Sequence, residues 1–228
     1  MGMFLRRGPA PGIPIGSLAV GRTIKHIASV PREFLIVHQG LPGDIYDASC
    51  DGTWLWMKNV FDQRQYNTSA SGNYANSSIN TWLNGDFYAL LDSNIQNAIK
   101  QVKIPYCVGD GGDPVMSGAD GLSCKIFLLG GFEVGSAQLS TSKYFPIDGA
   151  ILSYFSDTAS TDSKRIGYLD GSATKWWLRS MYTYYSAGVW IINEEGAARG
   201  EARGTYAYGI RPAFILPSDF LVTDDMLA

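Results

Sequence analysis

The chain has 228 residues with 18 basic and 21 acidic side chains, so its net charge is −3. This charge, together with the absence of a basic cluster, argues against a nucleic-acid-binding surface. The hydrophobic fraction of 46% and the six tryptophans are enough for a sizeable core. However, no apolar run is long enough to span a membrane, and the N-terminus lacks the apolar stretch of a signal peptide.

Cysteine usage points to a reducing environment during synthesis. Cys50, Cys107 and Cys124 cannot all pair, which favours reduced thiols. A disulfide between Cys107 and Cys124, which flank one loop, remains an alternative.

The first quarter of the chain predicts a flexible leader followed by strands. Several prolines and glycines in residues 1–15 are typical of a leader, and residues 16–228 are expected to form one domain. β-Branched and apolar residues predict strands at 18–27 and 33–39. His38 ends the second of these strands. It has no partner in the sequence, so we interpret it as a structural histidine.

A strand over 54–59 and a long polar surface loop over 61–76 are expected before two helices. Asn76 or Ser77 caps the first helix, which has an apolar face and should end at Gly85. Asp92 or Ser93 caps the second helix, whose apolar residues recur with helical spacing up to residue 102.

The middle of the chain contains a glycine-rich loop between short strands predicted at 102–106 and 125–129. Asp110, Asp113 and Asp120 in this loop do not have the order of a calcium-binding loop and lack its closing Glu. We therefore expect a mobile loop, no metal site and no cofactor.

The segment 175–217 has two apolar ends that predict buried strands, and an unusual middle. Its middle is rich in Tyr, Gly, Ser and Arg, and no Lys follows Lys175. This composition is found in antibody paratopes and interface cores. An aromatic-rich β-meander with turn glycines explains it equally well.

The motifs WWLRS (176–180) and GIRPAF (209–214), about thirty residues apart, resemble a known family. It is the phage- and prophage-associated C-type-lectin-fold domain of Gram-positive gut bacteria, similar in layout to the variable proteins of diversity-generating retroelements. Its distant relatives are the formylglycine-generating, sulfatase-modifying enzymes. The stretches REFLIVHQGLPGDIYDASCDGTWLWMK (32–58), NSSINTWLNGDFYALL (76–91) and CKIFLLGGFEVG (124–135) fit the same family. One departure is Met181, where members usually carry Pro.

The resemblance implies an α+β, C-type-lectin-like fold, with two helices packed on small antiparallel sheets and with paired N- and C-terminal strands. It also implies a phage or prophage ligand- or receptor-binding protein, an adhesin, located on the virion or cell surface. The partner would be a host-surface protein or glycan. In retroelement targets, the segment between the two motifs is rewritten at adenines to diversify a binding face.

The residues of this segment expected to bind ligand are Tyr182, Tyr184, Tyr185, Ser186, Trp190, Ala197, Arg199, Glu201, Arg203, Thr205 and Tyr206. The larger side chains among them should be exposed and lie together on one side. Trp176, Trp177, Arg179 and Arg211 should form the scaffold of the site, with both arginines bonded to backbone carbonyls or carboxylates.

Two other functions remain open. The first is a structural virion component whose C-terminal loop is merely surface. The second is a sulfatase-modifying type of enzyme, which is disfavoured because those enzymes act through two C-terminal cysteines and no cysteine follows Cys124. No nucleophile elbow, zinc spacing, phosphate loop or dinucleotide fingerprint occurs, and we expect no enzyme. Glu194, Glu195 and Glu201 are expected to be solvated.

Overall fold

The computed structural model describes residues 12–25, 32–69, 73–109, 115–136, 143–157, 162–183, 188–201 and 204–227. These residues form short strands and two short helices around one apolar core. The strands are β1 (Ile13–Pro14), β2 (Thr23–Lys25), β3 (Glu33–Gln39), β4 (Thr53–Met57), β5 (Gln63–Gln65), β6 (Val102–Ile104), β7 (Tyr106–Cys107), β8 (Val115–Met116), β9 (Leu122–Cys124), β10 (Ile126–Leu128), β11 (Gly167–Leu169), β12 (Ser172–Thr174), β13 (Trp176–Met181), β14 (Val189–Ile192), β15 (Ala198–Glu201), β16 (Ala207–Gly209), β17 (Pro212–Leu216) and β18 (Leu221–Val222).

The central sheet has five antiparallel strands in the order β10-β17-β4-β3-β2. Every residue of β4, β10 and β17 is buried, so these strands are apolar on both faces rather than alternating. The predicted strands at 33–39, 54–59 and 125–129 are present. Of the strand predicted at 18–27, the described residues include β2, and residues 26 and 27 lie outside them. The sheet forms the middle of the core.

A second five-stranded sheet, in the order β15-β14-β13-β16-β5, is built mainly from the segment between the two family motifs. Its pairs are antiparallel except for β13 with β16, where Trp176 lies opposite Gly209. All residues of β13 and β14 are buried. The edge strand β5 lies within the stretch predicted to be a polar loop. The stretch 61–76 is therefore not a surface loop throughout. It contains β5, and the side chains of Tyr66 and Tyr74 are fully buried.

The termini of the described chain meet in the two-stranded ribbon of β1 and β18, where Ile13 pairs with Val222. The expectation of a flexible leader is therefore wrong for residues 13–15, and Ile15 is fully buried. The pairing of N- and C-terminal strands that the resemblance implies is present in this ribbon, but the last apolar strand of the segment 175–217 does not itself pair with β2 or β3. β17 lies between β4 and β10, and β3 is on the far side of β4.

The helical block differs from the prediction at Gly85. The helix α1 (Ser78–Trp82) is capped by Ser77, whose hydroxyl accepts from the Asn80 amide. It does not end at Gly85 but continues as a π-helical turn, Leu83–Phe87. The helix α2 (Ser93–Ala98) follows Asp92. The mixed, mostly β architecture with two short helices agrees with an α+β class.

All three cysteines are buried thiols and form no disulfide. Within the described ranges, no helix is long and apolar enough to cross a membrane.

Substitution of Trp176 tests the position of the core. Its side chain is fully buried, as predicted, and its ring lies 5.4 Å from that of Trp56. Trp176→Ala should lower the free energy of unfolding by ~3–5 kcal/mol, because a large core side chain is lost. Denaturant unfolding measures this.

The matched control is Tyr168→Ala on β11. Because Tyr168 is 44% exposed, this substitution should change the free energy of unfolding by no more than about 0.5 kcal/mol. Equal effects of the two substitutions would show that Trp176 is not a core residue.

Candidate functional site

A buried ion pair between Arg179 of β13 and Glu133 lies beneath the second sheet, and both side chains are fully buried. The Arg179 guanidinium donates to both carboxylate oxygens of Glu133, at 3.1 and 2.7 Å. It also donates to the backbone oxygens of Leu128 and Asp148, at 2.7 and 3.0 Å. Arg179 therefore connects β13 to β10 of the central sheet and to the loop around residue 148.

The Glu133 carboxylate also accepts from the Tyr46 hydroxyl at 2.7 Å and from the Gly130 amide at 2.7 Å. A Cβ atom on Gly131 would lie 2.6 Å from the Phe145 ring, so only glycine allows this close approach. This role of Glu133 was not predicted from the sequence. A lone Glu directly after LLGGF was the available signal.

Asp148 is a second carboxylate in the same cluster and is also fully buried. Its carboxylate oxygens accept from the Ser180 hydroxyl, which in turn accepts from the Gly131 amide. Burial raises the pKa of Asp148 to about 6; Arg179 lowers it and Glu133 raises it further. One guanidinium thus faces two carboxylates, and burial favours the protonated form of Asp148.

Arg211, the second arginine predicted for the scaffold, has no carboxylate partner among the described residues. Its guanidinium carbon lies 3.3 Å from the centre of the Trp56 ring and 5.0 Å from that of Trp176. It donates to the backbone oxygens of Met57, Lys58 and Arg165. Both arginines therefore bond to backbone carbonyls, and Arg179 also bonds to a carboxylate, as predicted. Their partners lie mainly outside the segment between the motifs.

The residues predicted to bind ligand are divided between two places. Tyr182 and Trp190 pack against each other beside β14, with ring centres 5.0 Å apart. Trp190 is only 7% exposed and Ala197 only 2%, so the expectation that Trp190 is exposed is wrong and Ala197 offers no accessible surface. Trp190 is covered because its ring also packs on Phe145 and its indole N–H donates to the Tyr144 carbonyl.

Tyr182 lies against two glycines of the segment between the motifs. It is half-buried, and its ring crosses the backbones of Gly188 and Gly200. A Cβ atom on Gly200 would lie 1.3 Å from the Tyr182 hydroxyl oxygen. The two glycines therefore accommodate Tyr182 itself.

Tyr206 lies away from this group. It is 43% exposed, and its ring centre is 6.0 Å from that of Tyr208 in β16. Arg199, also exposed, lies in β15 at the opposite edge of the sheet. The strands β14 and β13 lie between β15 and β16, and neighbouring strands are about 4.8 Å apart. Arg199 and Tyr206 therefore do not form one contiguous patch.

Two adjoining grooves flank β16 and β5. One, of about 530 Å³, lies between β5 and α1, and the other, of about 270 Å³, lies between β16 and the turn at Glu194. Gln63 and Ala207 line both grooves, so they form one surface. We call it the Tyr206 face, and it comprises Gln63, Gln65, Lys175, Glu194, Tyr206, Ala207 and Tyr208.

The Tyr206 face is held firmly by the scaffold beneath it. The Gln65 side chain donates to the Thr205 carbonyl at 2.8 Å, and the Asn67 amide donates to the Gly204 carbonyl at 3.1 Å. The ring of Tyr208 packs on that of the buried Trp177, with ring centres 4.8 Å apart. Thr205 is partly exposed beside them.

Several predicted residues lie outside the described part of the chain. Tyr184, Tyr185, Ser186 and Arg203 belong to these, and only the backbone of Glu201 is described. Asp110 and Asp113 of the glycine-rich loop also lie outside it.

The other candidate titratable groups have ordinary surroundings. The ring Nδ1 of His38 contacts the amide and hydroxyl of Ser153, and burial lowers the pKa of His38. Glu194 and Glu195 are exposed, as expected. Among the described residues, no three His, Cys, Asp or Glu side chains cluster as metal ligands would.

A family model described as "Domain of unknown function (DUF6273)" matches residues 51–218, which is well over half of the chain. The match spans both motifs, the buried ion pair and the Tyr206 face. Comparison with curated proteins and with solved structures gave no match.

Asp148 should give the unfolding equilibrium a specific pH dependence. Its pKa is about 6 when folded, against an ordinary value of 3.8. Protonated Asp148 therefore stabilises the fold below about pH 4, and this stabilisation is lost as the pH rises through about 6, a change on the order of 3 kcal/mol. Asp148→Asn should remove this pH-dependent contribution. The stability of the variant relative to the original chain should therefore increase as the pH rises. Urea unfolding of both proteins from about pH 4 to pH 7 measures the difference. A difference that stays constant over that range would contradict the assignment.

Gly200 should not tolerate a side chain while Tyr182 is present. Gly200→Ala should cost about 1–3 kcal/mol of stability, because the new methyl group must displace the Tyr182 ring. In a Tyr182→Ala background, the same substitution should be nearly neutral. A double-mutant cycle measured by thermal unfolding gives the coupling energy. Additive effects would show that the ring does not cover Gly200.

Proposed function

The chain belongs to the DUF6273 family, and we propose that it is a non-enzymatic binding protein whose recognition surface is the Tyr206 face. The observation that carries this proposal is the exposed Tyr206 ring beside Tyr208, on a sheet whose inner strand β13 is fully buried. Tyrosine gives a large, rigid contact area with a polar end at a low cost in conformational entropy.

The charges of the Tyr206 face favour a polar ligand of mixed character. Lys175, whose ammonium lies 5.6 Å from the centre of the Tyr208 ring, and Glu194 carry opposite charges on the same groove. Gln63 and Gln65 add amide donors and acceptors on the exposed edge strand. Aromatic rings among adaptable polar groups are typical of protein-recognition surfaces.

The buried cluster does not compete with this interpretation as a reaction centre. Arg179, Glu133 and Asp148 have no solvent-exposed surface, and their polar atoms mainly bond one another and nearby backbone groups. A substrate would have to disrupt the junction between β13 and β10 to reach them. Their role in the proposal is to hold β13 rigid beneath the recognition surface.

The resemblance to phage and prophage C-type-lectin-fold domains extends the proposal. The finer fold would be C-type-lectin-like, and the protein would act as an adhesin or receptor-binding module on a virion or cell surface. Its partner would be a host-surface protein or glycan, and the segment between the motifs would be diversified. Sequencing the gene neighbourhood tests this. A reverse-transcriptase gene beside a near-copy of the coding segment for residues 175–212 would support diversification. A neighbourhood without both features argues against it.

Tyr206→Ala tests the recognition surface. The fluorescently labelled protein is incubated with a panel of Gram-positive gut bacteria, and the bound fraction is measured by flow cytometry. The variant should lose ~2 kcal/mol or more of binding free energy if Tyr206 is a hot spot. Its melting temperature should be unchanged, because the side chain is exposed.

The control is Tyr168→Ala, which removes an equally exposed tyrosine from β11, outside the second sheet. This variant should bind like the unmodified chain. Equal binding by all three proteins would exclude the Tyr206 face as the recognition surface. Failure of the unmodified chain to bind any strain of the panel would count against an adhesin.

A further inference from the structure

A third groove, of about 470 Å³, lies beside the π-helical turn that follows α1, and it shares Thr68, Ser78 and Trp82 with the groove between β5 and α1. Its lining also includes Asn67, Asn76, Thr81, Gly85 and Asp86. These side chains are amides, hydroxyls, one carboxylate and one indole, and among the described residues no Lys or Arg is part of the lining. π-Helical turns are rare and often occur at functional sites.

Gly85 has no structural reason to be glycine. It lies within the π-helical turn, and its backbone is not in the left-handed region. A Cβ atom at this position would have no heavy atom within 4 Å. Glycine is among the weakest helix formers, so a larger residue would favour the helical segment. The absence of a side chain at Gly85 has one evident effect, which is to keep the groove open.

Three polar groups on this groove have no partner within the described ranges. The Trp82 indole N–H, the Asn76 side-chain amide and the Asp86 carboxylate form no hydrogen bond there, and Asp86 forms no ion pair. Asn76 and Asp86 are exposed and Trp82 is partly exposed. They supply donors and acceptors on one groove.

Trp82 is held rigidly in place. Its ring packs on Phe61 and Phe87, with ring centres 5.9 and 5.6 Å away, and the Arg64 guanidinium carbon lies 4.0 Å from its ring centre. The other five tryptophans are buried. Trp82 is therefore the one tryptophan that presents indole surface to solvent.

We propose that this groove binds a neutral saccharide. Vicinal hydroxyl groups both donate and accept, which matches the free amide, carboxylate and indole N–H, while the apolar C–H face of a pyranose packs on indole surface. An anionic ligand would be repelled by the Asp86 carboxylate, and Arg64, which lies over the Trp82 ring, lines the adjoining groove and is paired with Asp62. An apolar ligand would leave these polar groups desolvated without partners. The groove adjoins the Tyr206 face but contains none of the residues by which that face was defined, and the inference does not depend on that proposal.

Trp82 also provides the measurement. Acrylamide quenching of tryptophan fluorescence in the full-length protein reports on Trp82, because the other five indoles are buried. The probes are maltotriose, cellotriose, mannotriose and chitotriose, each titrated separately. At least one should protect Trp82 from quenching in a saturable way. Trp82→Phe should abolish the signal.

Gly85→Gln should fill the groove and weaken saccharide binding by at least about tenfold, while the melting temperature stays the same or rises. Asp86→Ala should weaken binding by removing an acceptor. The control, Asn97→Gln, places the same side chain on the exposed surface of α2 and should bind like the unmodified chain. The inference is overturned if none of the four saccharides protects Trp82, or if Gly85→Gln binds as tightly as the control. Because Tyr206→Ala should leave this binding intact, failure here is distinguishable from failure of the proposed adhesin function.

Discussion

The bidentate ion pair between Arg179 and Glu133 is the interaction on which the second sheet depends. Both groups are fully buried, and desolvating two charges costs several kcal/mol for each ion unless the geometry satisfies them. Here the Glu133 carboxylate is well satisfied, because it also accepts from Tyr46 and Gly130, but the buried Nε of Arg179 has no hydrogen-bond partner among the described residues. Removing either charge would leave the other buried without its partner. Such a pair is weak evidence for high stability, but it fixes one arrangement of β13 against β10.

The two arginines of the family motifs have complementary roles. Arg179 donates to the Leu128 carbonyl of β10 and also pairs with the Glu133 carboxylate, whereas Arg211 is held by backbone carbonyls and two indole rings. A guanidinium suits both positions, because its five donors lie in one plane and its faces stack on aromatic rings. Lysine could supply neither the fork nor the stacking. With these bonds made inside the protein, the outer strands β16 and β5 can vary without loss of the junction.

The strands rich in apolar residues were predictable, and so was the burial of Trp176, because long apolar runs leave few alternatives. The helix cap at Ser77 was predictable from local chemistry. The continuation past Gly85 was not, since glycine usually ends such a pattern and the chain here forms a π-helical turn instead. The burial of Glu133 and Asp148 depends on long-range partners that periodicity does not reveal. Trp190 was misassigned because composition cannot distinguish an exposed tryptophan from one packed on Phe145.

The packing of Tyr182 restricts how the segment between the motifs could vary. A position tolerates many side chains only if its neighbours make no demand on shape, and close-packed interiors make such demands. Tyr182 rests on two glycines, Trp190 fits between rings, and Ala197 is enclosed. Random replacement at these positions would disturb the sheet. Arg199 and Tyr206 are exposed, and Thr205 is partly exposed. Any diversification of this chain that preserves the fold is therefore expected to concentrate on exposed positions such as these and to spare the glycine-supported aromatic cluster.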